Sequence, residues 1–313
     1  MLRILVLGAG AGGGFPQWNC GCAQCRRARA GDPAAPVRTQ SSIAVSADGL
    51  RWTLINASPD LGRQLLDRPT LHPVSDTRHS PISAVVVTNA DVDHVAGLLT
   101  LREGHPFPLY ATKRVHDILG ANAIFNVLNR DIVDRRPLAV DTPEPLTDAS
   151  GEGLGFTVEL FPVPGKIALW LEDPTKPGFG SVPEDTVGVK VTEVLPGGEE
   201  GSHFYYIPGC AALPPDLPAR LEGAALVLFD GTTFTDDEMA AHKVGTKTAG
   251  RMGHMAMSGP EGSLAAFAPL DIGRKVYIHI NNTNPVLVAD TAERRAVEEA
   301  GWDVAFDGME IAL

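Results

Sequence analysis

The stretch TNADVDHVAG, residues 88–97, brings three ionisable side chains into one short turn. It follows the apolar run 82–88, which is predicted to be a buried strand, and it leads into an apolar segment with a helical start. A loop between a strand and a helix is held by a rigid scaffold, and catalytic ligands often lie there. Asp91, Asp93 and His94 are therefore candidate ligands, although an Asp in such a turn can also act only as a helix N-cap.

Three later stretches also carry Asp or His near the end of a predicted strand. Asp230 ends the apolar run of LVLFDGTTF, residues 226–234, and His279 lies near the strand end in VYIHINNTNP, residues 276–285. The third stretch is GHMAMSG, which contains His254. A lone His at such a place is more often a hydrogen-bonded core residue than a ligand. Taken together with the first turn, these residues predict one shared polar site at the ends of the strands.

Three cysteines crowd the opening segment GAGAGGGFPQWNCGCAQC, residues 8–25. Cys20, Cys22 and Cys25 form a Cys-x-Cys-x-x-Cys group, whereas Cys210 is distant in sequence. In a reducing compartment such a group is more typical of a metal site than of disulfides. It supplies three of the four ligands that a tetrahedral structural zinc needs, and free buried thiols are the alternative.

The same segment satisfies G-x-G-x-x-G at Gly8, Gly10 and Gly13 after an apolar strand. That motif requires a helix to open at the third glycine, but the continuation GFPQWN is a poor helix start. No second apolar strand ending in an acidic residue follows at the required distance. We therefore expect the glycines to let the chain turn tightly and the cysteines to staple that turn, without a dinucleotide.

The composition is that of an ordinary soluble globular protein. The 313 residues are 44% hydrophobic and 20% charged, which suits one large domain or two ordinary ones. The net charge of −12, without a basic cluster, argues against a nucleic-acid surface. No apolar run reaches membrane-spanning length and the first segment is not a signal peptide, so we expect a cytoplasmic protein that does not bind a membrane.

The pattern of apolar residues predicts alternating strands and helices. Strands are predicted at residues 2–8, 41–46, 52–56, 82–88, 156–163, 186–192, 203–207, 225–229, 275–280 and 302–306. Helices are predicted at 59–66, 112–130, 260–268 and 293–301, a loop and strand at 104–110, and a long surface loop at 164–185. This order predicts one α/β domain, residues 1–313, with two mixed sheets covered by helices and a helical segment at 104–150.

These motifs resemble the metallo-β-lactamase superfamily. TNADVDHVAG is similar to its signature T-H-x-H-x-D-H-x-x-G, and the cysteine group also occurs in its phosphodiesterase branch, notably in PhnP. A narrower resemblance covers the chain from end to end: GGGFPQWNC, RTQSSIA, NASPD, GLLTLREG, MGH, HINNTNP and AFDGM look like the PqqB family of pyrroloquinoline quinone (PQQ) biosynthesis. The resemblance implies a metallo-β-lactamase αββα sandwich, in which two mixed β-sheets are flanked by helices.

The superfamily's first metal position has lost most of its ligands in this chain. Asn89 and Asp91 stand where the first two histidines belong. Pro164-Gly165-Lys166 stands where a third His is expected, and Cys210 stands in place of the bridging Asp. A two-metal hydrolase needs both positions to clamp the attacking and leaving oxygens. The ligand inventory therefore argues against dinuclear hydrolysis.

The second metal position keeps Asp93, His94 and His279, with Asp91 as a further ligand or as a carboxylate that orients an imidazole. Two His and one carboxylate with open positions are the ligand set of non-heme Fe(II) oxygenases. A mononuclear zinc hydrolase has the same ligand count, so the inventory leaves both open. For the structural zinc, Asn282 stands where PhnP has its fourth ligand, a His; an amide is a weak zinc ligand, so the fourth ligand stays open.

The PqqB resemblance implies an iron-dependent hydroxylase that uses dioxygen on the tyrosine ring of a Glu-Tyr cross-linked PQQ precursor, with other PQQ-pathway proteins as candidate partners. The alternatives are a carrier that binds or transports PQQ or its precursor without catalysis, and a residual zinc hydrolase. His254 would contact the substrate or carry a proton. The residues expected to bind the substrate are Asn89, Asp230, Asn281, Asn282 and Asn284.

Overall fold

Fourteen β-strands run through the residues that the structure, a computed structural model, describes, namely 1–75 and 77–313. In chain order they are β1 Arg3–Gly8, β2 Ser42–Ser46, β3 Trp52–Ile55, β4 Ile82–Val86, β5 Leu109–Thr112, β6 Arg135–Leu138, β7 Glu144–Thr147, β8 Gly153–Pro162, β9 Val187–Val194, β10 Glu200–Ile207, β11 Leu226–Asp230, β12 Lys275–Ile278, β13 Trp302–Val304 and β14 Glu310–Ala312. They form two seven-stranded sheets, in the orders β14-β1-β2-β3-β4-β5-β6 and β13-β12-β11-β10-β9-β8-β7.

Each sheet has an antiparallel half and a parallel half. In the first sheet the pairs from β14 to β3 are antiparallel and those from β3 to β6 are parallel. In the second sheet the pairs from β7 to β10 are antiparallel and those from β10 to β13 are parallel. The turns that follow β4, β11 and β12 therefore leave the carboxyl ends of parallel strands, where ligands commonly bind in α/β proteins.

Short helices connect the strands. The α-helices are α1 Ala23–Arg29, α2 Leu61–Leu66, α3 Val92–Val95, α4 Lys113–Ala121, α5 Leu217–Leu221, α6 Glu238–Ala241, α7 Ala249–Met252, α8 Ser263–Phe267 and α9 Ala292–Glu299. The 3₁₀ segments are Pro69–Leu71, Ala96–Leu101, Ala123–Val127, Leu169–Leu171, Pro177–Gly180, Pro183–Asp185 and Pro285–Leu287. Within the described chain, none of these helices combines the length and the apolar character that crossing a bilayer requires.

Three buried apolar clusters show how the layers are stacked. Ile4 of β1 and Phe204 of β10 belong to the cluster that fills the space between the two sheets. Leu5, the next residue of β1, belongs to a second cluster that includes side chains of α2 and α4, and Tyr205 belongs to a third that includes α5, α8 and α9. Because neighbouring residues of a strand point to opposite faces, both faces of each sheet are buried. The predicted fold, two mixed sheets flanked by helices, is confirmed.

The region predicted as a helical segment, residues 104–150, differs from the prediction. The helix predicted at 112–130 ends at Ala121 and continues as the 3₁₀ segment Ala123–Val127, and the region also holds β5, β6 and β7. Strands β6, with the sequence RRPL, and β7, with the sequence EPLT, each form the outer edge of a sheet. Edge strands accept Pro and charged residues because one side of the backbone has no ladder to join. These two strands therefore lack the apolar pattern from which strands are predicted, and the sequence does not indicate them.

Candidate metal centre

His94 lies in α3, directly after the turn that leaves β4, and its side chain is buried. Its Nδ1 lies 2.9 Å from Asn89 Oδ1. The backbone N–H of Asp91 also donates to Asn89 Oδ1, at 2.9 Å, which identifies that atom as an acceptor. His94 Nδ1 must therefore carry the proton and donate it, so Nε2 presents a lone pair. Nε2 is buried and meets no hydrogen-bond partner in the described residues.

Two further ligand atoms converge on this lone pair. His279 follows β12 in a left-handed conformation, with φ +60°, and its Nε2 lies 3.2 Å from Asp93 Oδ2. One ligand atom from each of Asp93, His94 and His279 lies within 4.8 Å of the other two. A buried imidazole nitrogen without a partner is costly unless something coordinates it. The donor set therefore fits one metal ion.

The pKa shifts agree with a cation site. Burial lowers the pKa of His94 to about 4, so its imidazole is neutral and able to coordinate at neutral pH. Burial alone would raise the pKa of Asp93, but the electrostatic interactions with the His94 and His279 rings and the hydrogen bond from His279 outweigh it and lower that pKa. Burial likewise disfavours a charged His279, yet the hydrogen bond to Asp93 raises its pKa. The centre holds a carboxylate and attracts positive charge.

A buried hydrogen-bond network supports the other side of His279. Thr232 Oγ1 lies 2.9 Å from His279 Nδ1 and donates to Asp230 Oδ1 at 2.7 Å. Asp230 is fully buried at the end of β11 and its Oδ2 lies 2.7 Å from His254 Nδ1. His254 stacks on His279, with ring centroids 5.1 Å apart. A carboxylate behind a ligating imidazole sets its tautomer and orientation, and here Thr232 carries that link.

The opening glycine loop packs against the same centre. A Cβ on Gly12 would lie 3.3 Å from Asp93 Oδ2, and Gly13 and Gly14 have φ +92° and +66°. L-residues rarely adopt such positive φ values, so the tight turn requires glycine. The glycine loop therefore places its backbone in contact with the Asp93 carboxylate.

The three cysteines of the opening segment form a second cluster. Cys20, Cys22 and Cys25 are buried, and one sulfur from each lies within 4.8 Å of the others. Burial raises the pKa of Cys22 to about 12, because a thiolate is unfavourable there without a cation. Asn282 Nδ2 lies 3.4 Å from Cys25 Sγ. The three sulfurs fit a structural zinc, with the amide of Asn282 beside them.

Most side chains predicted to bind substrate have other partners in the structure. Asn284 is fully buried and donates to Gly231 O at 3.0 Å, and Asn281 Nδ2 donates to Thr283 Oγ1 at 2.6 Å. Asn89 orients His94, Asn282 contacts the thiols, and Asp230 holds Thr232 and His254. Asn89, Asp230, Asn282 and Asn284 thus each hold a neighbouring group in the structure, and direct substrate contact by these residues stays a prediction.

Asp91 joins none of the three metal-ligand groups that the described residues form, which are Cys20, Cys22 and Cys25; Asp93, His94 and His279; and Asp230, His254 and His279. Its carboxylate lies 3.2 Å from Lys166 Nζ and accepts a hydrogen bond from the backbone N–H of Leu169 at 3.1 Å. The prediction of Asp91 as a further ligand is replaced by a role as the ion-pair partner of Lys166.

Comparison with known proteins identifies the family. A model described as a Beta-lactamase superfamily domain matches residues 51–280. Coenzyme PQQ synthesis protein B of Gluconacetobacter diazotrophicus is 53% identical over 99% of both chains, and that of Methylobacterium nodulans is 52% identical over 100% of both. The chain belongs to the PqqB family. The predicted resemblance is confirmed.

A solved PqqB structure has the same fold over the whole chain. Zn²⁺-bound PqqB from Methylobacterium extorquens is 50% identical, with a TM-score of 0.92 over 99% of this chain and 100% of that one. A diphosphatase of the PhnP family, 19% identical, has a TM-score of 0.66 over 100% of this chain and 98% of that one, and shares the fold. The predicted metallo-β-lactamase sandwich is confirmed.

Two residues of this PqqB-family site escaped the sequence reasoning. Thr232 lies in LVLFDGTTF, but a hydroxyl has no ligand signature, and its link to His279 spans 47 residues. Lys166 was noted only as the residue that replaces a missing His. The sequence signal for Lys166 is its position: it places a positive side chain where the superfamily pattern has a His that binds a metal ion.

Proposed function

We propose that this PqqB-family protein is a mononuclear non-heme iron hydroxylase of PQQ biosynthesis. Its substrates are dioxygen and a Glu-Tyr-derived precursor, whose tyrosine ring gains an oxygen atom, and other proteins of the pathway are its proposed partners. The carrying observation is the group of Asp93, His94 and His279, with the unpartnered lone pair of His94 Nε2. Two imidazoles and one carboxylate suit Fe(II) that keeps open positions.

The surroundings of the signature's first metal position argue against a metal ion at that position. Asn89 is committed to His94 and Asp91 to Lys166. Cys210 is fully buried, burial raises the pKa of its thiol to about 12, and its Sγ donates to Ala212 O. A neutral thiol, an amide and an ion-paired carboxylate make a poor second site. The cysteine cluster would hold a separate structural zinc.

The side chains divide the work of hydroxylation. Asp93, His94 and His279 would hold Fe(II), which supplies activation of dioxygen towards an aromatic ring. Thr232 donates its hydroxyl proton to Asp230 and therefore accepts a hydrogen bond from His279 Nδ1. This favours the tautomer with the proton on Nδ1 and leaves Nε2, which faces Asp93, to coordinate the metal. Asp230 also accepts a hydrogen bond from His254 Nδ1, so His254 Nε2 is the nitrogen available for proton transfer with a substrate. The His254 side chain is 15% exposed, which gives a substrate access to it.

The test is oxygen-dependent turnover. Adding one oxygen atom of O₂ to an aromatic C–H consumes two electrons and two protons and releases one water, so the assay includes a two-electron reductant such as ascorbate. Anaerobically loaded Fe(II) protein, a cross-linked Glu-Tyr compound and ¹⁸O₂ should yield a product that carries one ¹⁸O atom. His94→Ala should abolish the product. Turnover under strict anaerobiosis would overturn the proposal.

A zinc hydrolase is the second candidate, because the M. extorquens relative was solved with Zn²⁺ bound and the donor set also suits zinc. Cleavage of a phosphodiester or thioester by the Zn²⁺ form without dioxygen would favour it. A protein that binds PQQ tightly, turns nothing over and tolerates His94→Ala and His279→Ala would instead be a carrier.

A further inference from the structure

Lys166 places a positive charge beside the metal centre, next to the vacated first metal position. Its Nζ lies 3.2 Å and 3.4 Å from the two carboxylate oxygens of Asp91. Asp91 occupies the signature position of a lost His, and Lys166 follows the strand after which another His was expected. Asp91 and Lys166 lie 75 residues apart in the chain and stand in place of two expected histidines, and they form one ion pair at the signature's first metal position.

The position of Lys166 is defined along its whole side chain. Its stem packs on Gly253, where an added Cβ would lie 3.0 Å from Lys166 Cγ, and Gly253 directly precedes His254. Its backbone carbonyl accepts a hydrogen bond from Thr186 Oγ1 at 3.0 Å. The lysine therefore spans the gap between the turn that carries the metal ligands and the turn that carries His254.

The ammonium group retains capacity for another acceptor. A lysine ammonium has three N–H donors, and Asp91 is the single acceptor within hydrogen-bond distance among the residues that the structure describes. Charge-assisted N–H···O bonds are typically about 2.7–2.9 Å long, so this pair is loose. The Lys166 and Asp91 side chains are each 22% exposed. By contrast, the nearby Arg251 is bound by both oxygens of Glu172 and stacks on Phe179.

We propose that Lys166 binds a carboxylate of the substrate and thereby holds the aromatic ring at the metal centre. The inference rests on the proposed function, because a precursor made from Glu and Tyr carries carboxylates that are ionised at neutral pH. Three carboxylates, Asp91, Asp93 and Asp230, surround the centre, so one negative charge remains beside a bound divalent metal and disfavours such a substrate unless a further cation compensates. Lys166 supplies that cation without the second metal ion.

The experiment measures binding rather than turnover, so that it does not depend on the hydroxylase chemistry. The probe is PQQ, a tricarboxylate, titrated into the full-length protein loaded with redox-inert Zn²⁺ and followed by calorimetry. Lys166→Met should raise the Kd for PQQ about tenfold or more, since hydrogen bonds to charged groups are among the stronger ones. Lys166→Arg should keep the Kd within about threefold.

A matched control comes from the same loop. Lys176 lies on the surface and pairs only with Asp173 within the described chain, so Lys176→Met makes the same charge change away from the centre and should leave the Kd for PQQ unchanged. Metal content and thermal unfolding of all three variants should match those of the wild type. Lys166→Gln gives a second neutral variant if Lys166→Met fails to fold.

Two results would overturn the proposal: equal PQQ affinity of the wild type and a folded neutral variant, and no PQQ binding by the wild type at millimolar concentration. Failure of the proposed function looks different. In that case Lys166→Met weakens PQQ binding, while the Fe(II) protein makes no ¹⁸O-labelled product.

Discussion

The cysteine cluster and the imidazole–carboxylate centre both use the loop after β12, yet they are built in opposite ways. His279 belongs to one and Asn282, three residues later, contacts the other. The cysteines come from six consecutive residues and are all buried, with an amide beside them. Asp93 and His279 are 186 residues apart, and the centre that they form keeps an unpartnered nitrogen and a partly exposed carboxylate.

This difference separates a structural site from a reactive one. A structural metal site is closed by protein ligands, whereas a catalytic site keeps a position open for water or substrate. The cysteine cluster pins the opening loop, and through Asn282 it also pins the segment that carries His279. The open centre therefore depends on the closed one for its geometry, while the closed one depends little on the open one. Substitutions in the two regions should therefore differ in what they change.

The largest effect is expected at the open centre. His94→Ala removes the nitrogen that has no other partner, so metal affinity there should fall by more than about 100-fold, the upper end for the loss of a residue that only orients a ligand. Metal analysis of the purified variant should find the structural zinc retained. Loss of both metals from a folded His94→Ala protein would contradict the asymmetry.

The next effect is on stability. Cys25→Ala removes one of three clustered sulfurs, and the resulting loss of zinc should lower the free energy of unfolding by about 3–5 kcal/mol. Urea unfolding with and without a chelator measures this loss of stability. Removal of zinc from the cysteine site by the chelator should destabilise the wild type but not the variant, which has already lost that zinc. Cys210→Ala is the matched control: it removes a buried thiol outside the cluster and should keep the zinc.

A smaller effect is expected from the link behind His279. Thr232→Val keeps the shape of the side chain but leaves His279 Nδ1 and Asp230 without their shared hydroxyl. Metal affinity at the open centre should fall about 10- to 100-fold. Thr232→Ser restores the hydroxyl and should restore the affinity in a competitive chelator titration. An unchanged affinity in Thr232→Val would mean that packing alone orients His279.

The smallest effect concerns Glu238, a buried carboxyl between the two regions. It accepts hydrogen bonds from Phe234 N at 2.6 Å and Thr283 Oγ1 at 2.6 Å, and burial raises its pKa from 4.5 to about 7. Between these pH values the folded state binds a proton that the unfolded state has lost, so the free energy of unfolding falls as pH rises from 4.5 to 7, and the penalty is complete above 7.

Glu238→Gln imitates the neutral acid and should remove this pH dependence. At pH 8 it should raise the free energy of unfolding by about 1 kcal/mol. A pKa shift is worth roughly 1.4 kcal/mol per unit, but the gain is smaller than the full shift would give because one N–H of the new amide finds no partner. Urea unfolding at pH 5 and pH 8 measures the difference. A variant that is destabilised equally at both pH values would show that Glu238 is ionised in the folded protein.

The layered fold and the candidate ligands can be predicted from the order of residue types along the chain. Strands buried on both faces appear as continuous apolar runs, so the two-sheet α/β architecture was predictable, and the end-to-end motifs identified the family. The cysteine cluster was predictable because its sulfurs are neighbours in the chain. The strands β6 and β7 were missed because their edge positions tolerate Pro and charge.

The hydrogen-bond partners of the polar residues around the ligands become known only when the folded chain is seen in three dimensions. Asn89 and Asp230 orient imidazoles, and Lys166 reaches Asp91 across 75 residues of chain. The type of a side chain limits which bonds it can make, but its partner depends on which strand ends the fold brings together. For that reason the ligands could be named from the chain, whereas the network that positions them could not.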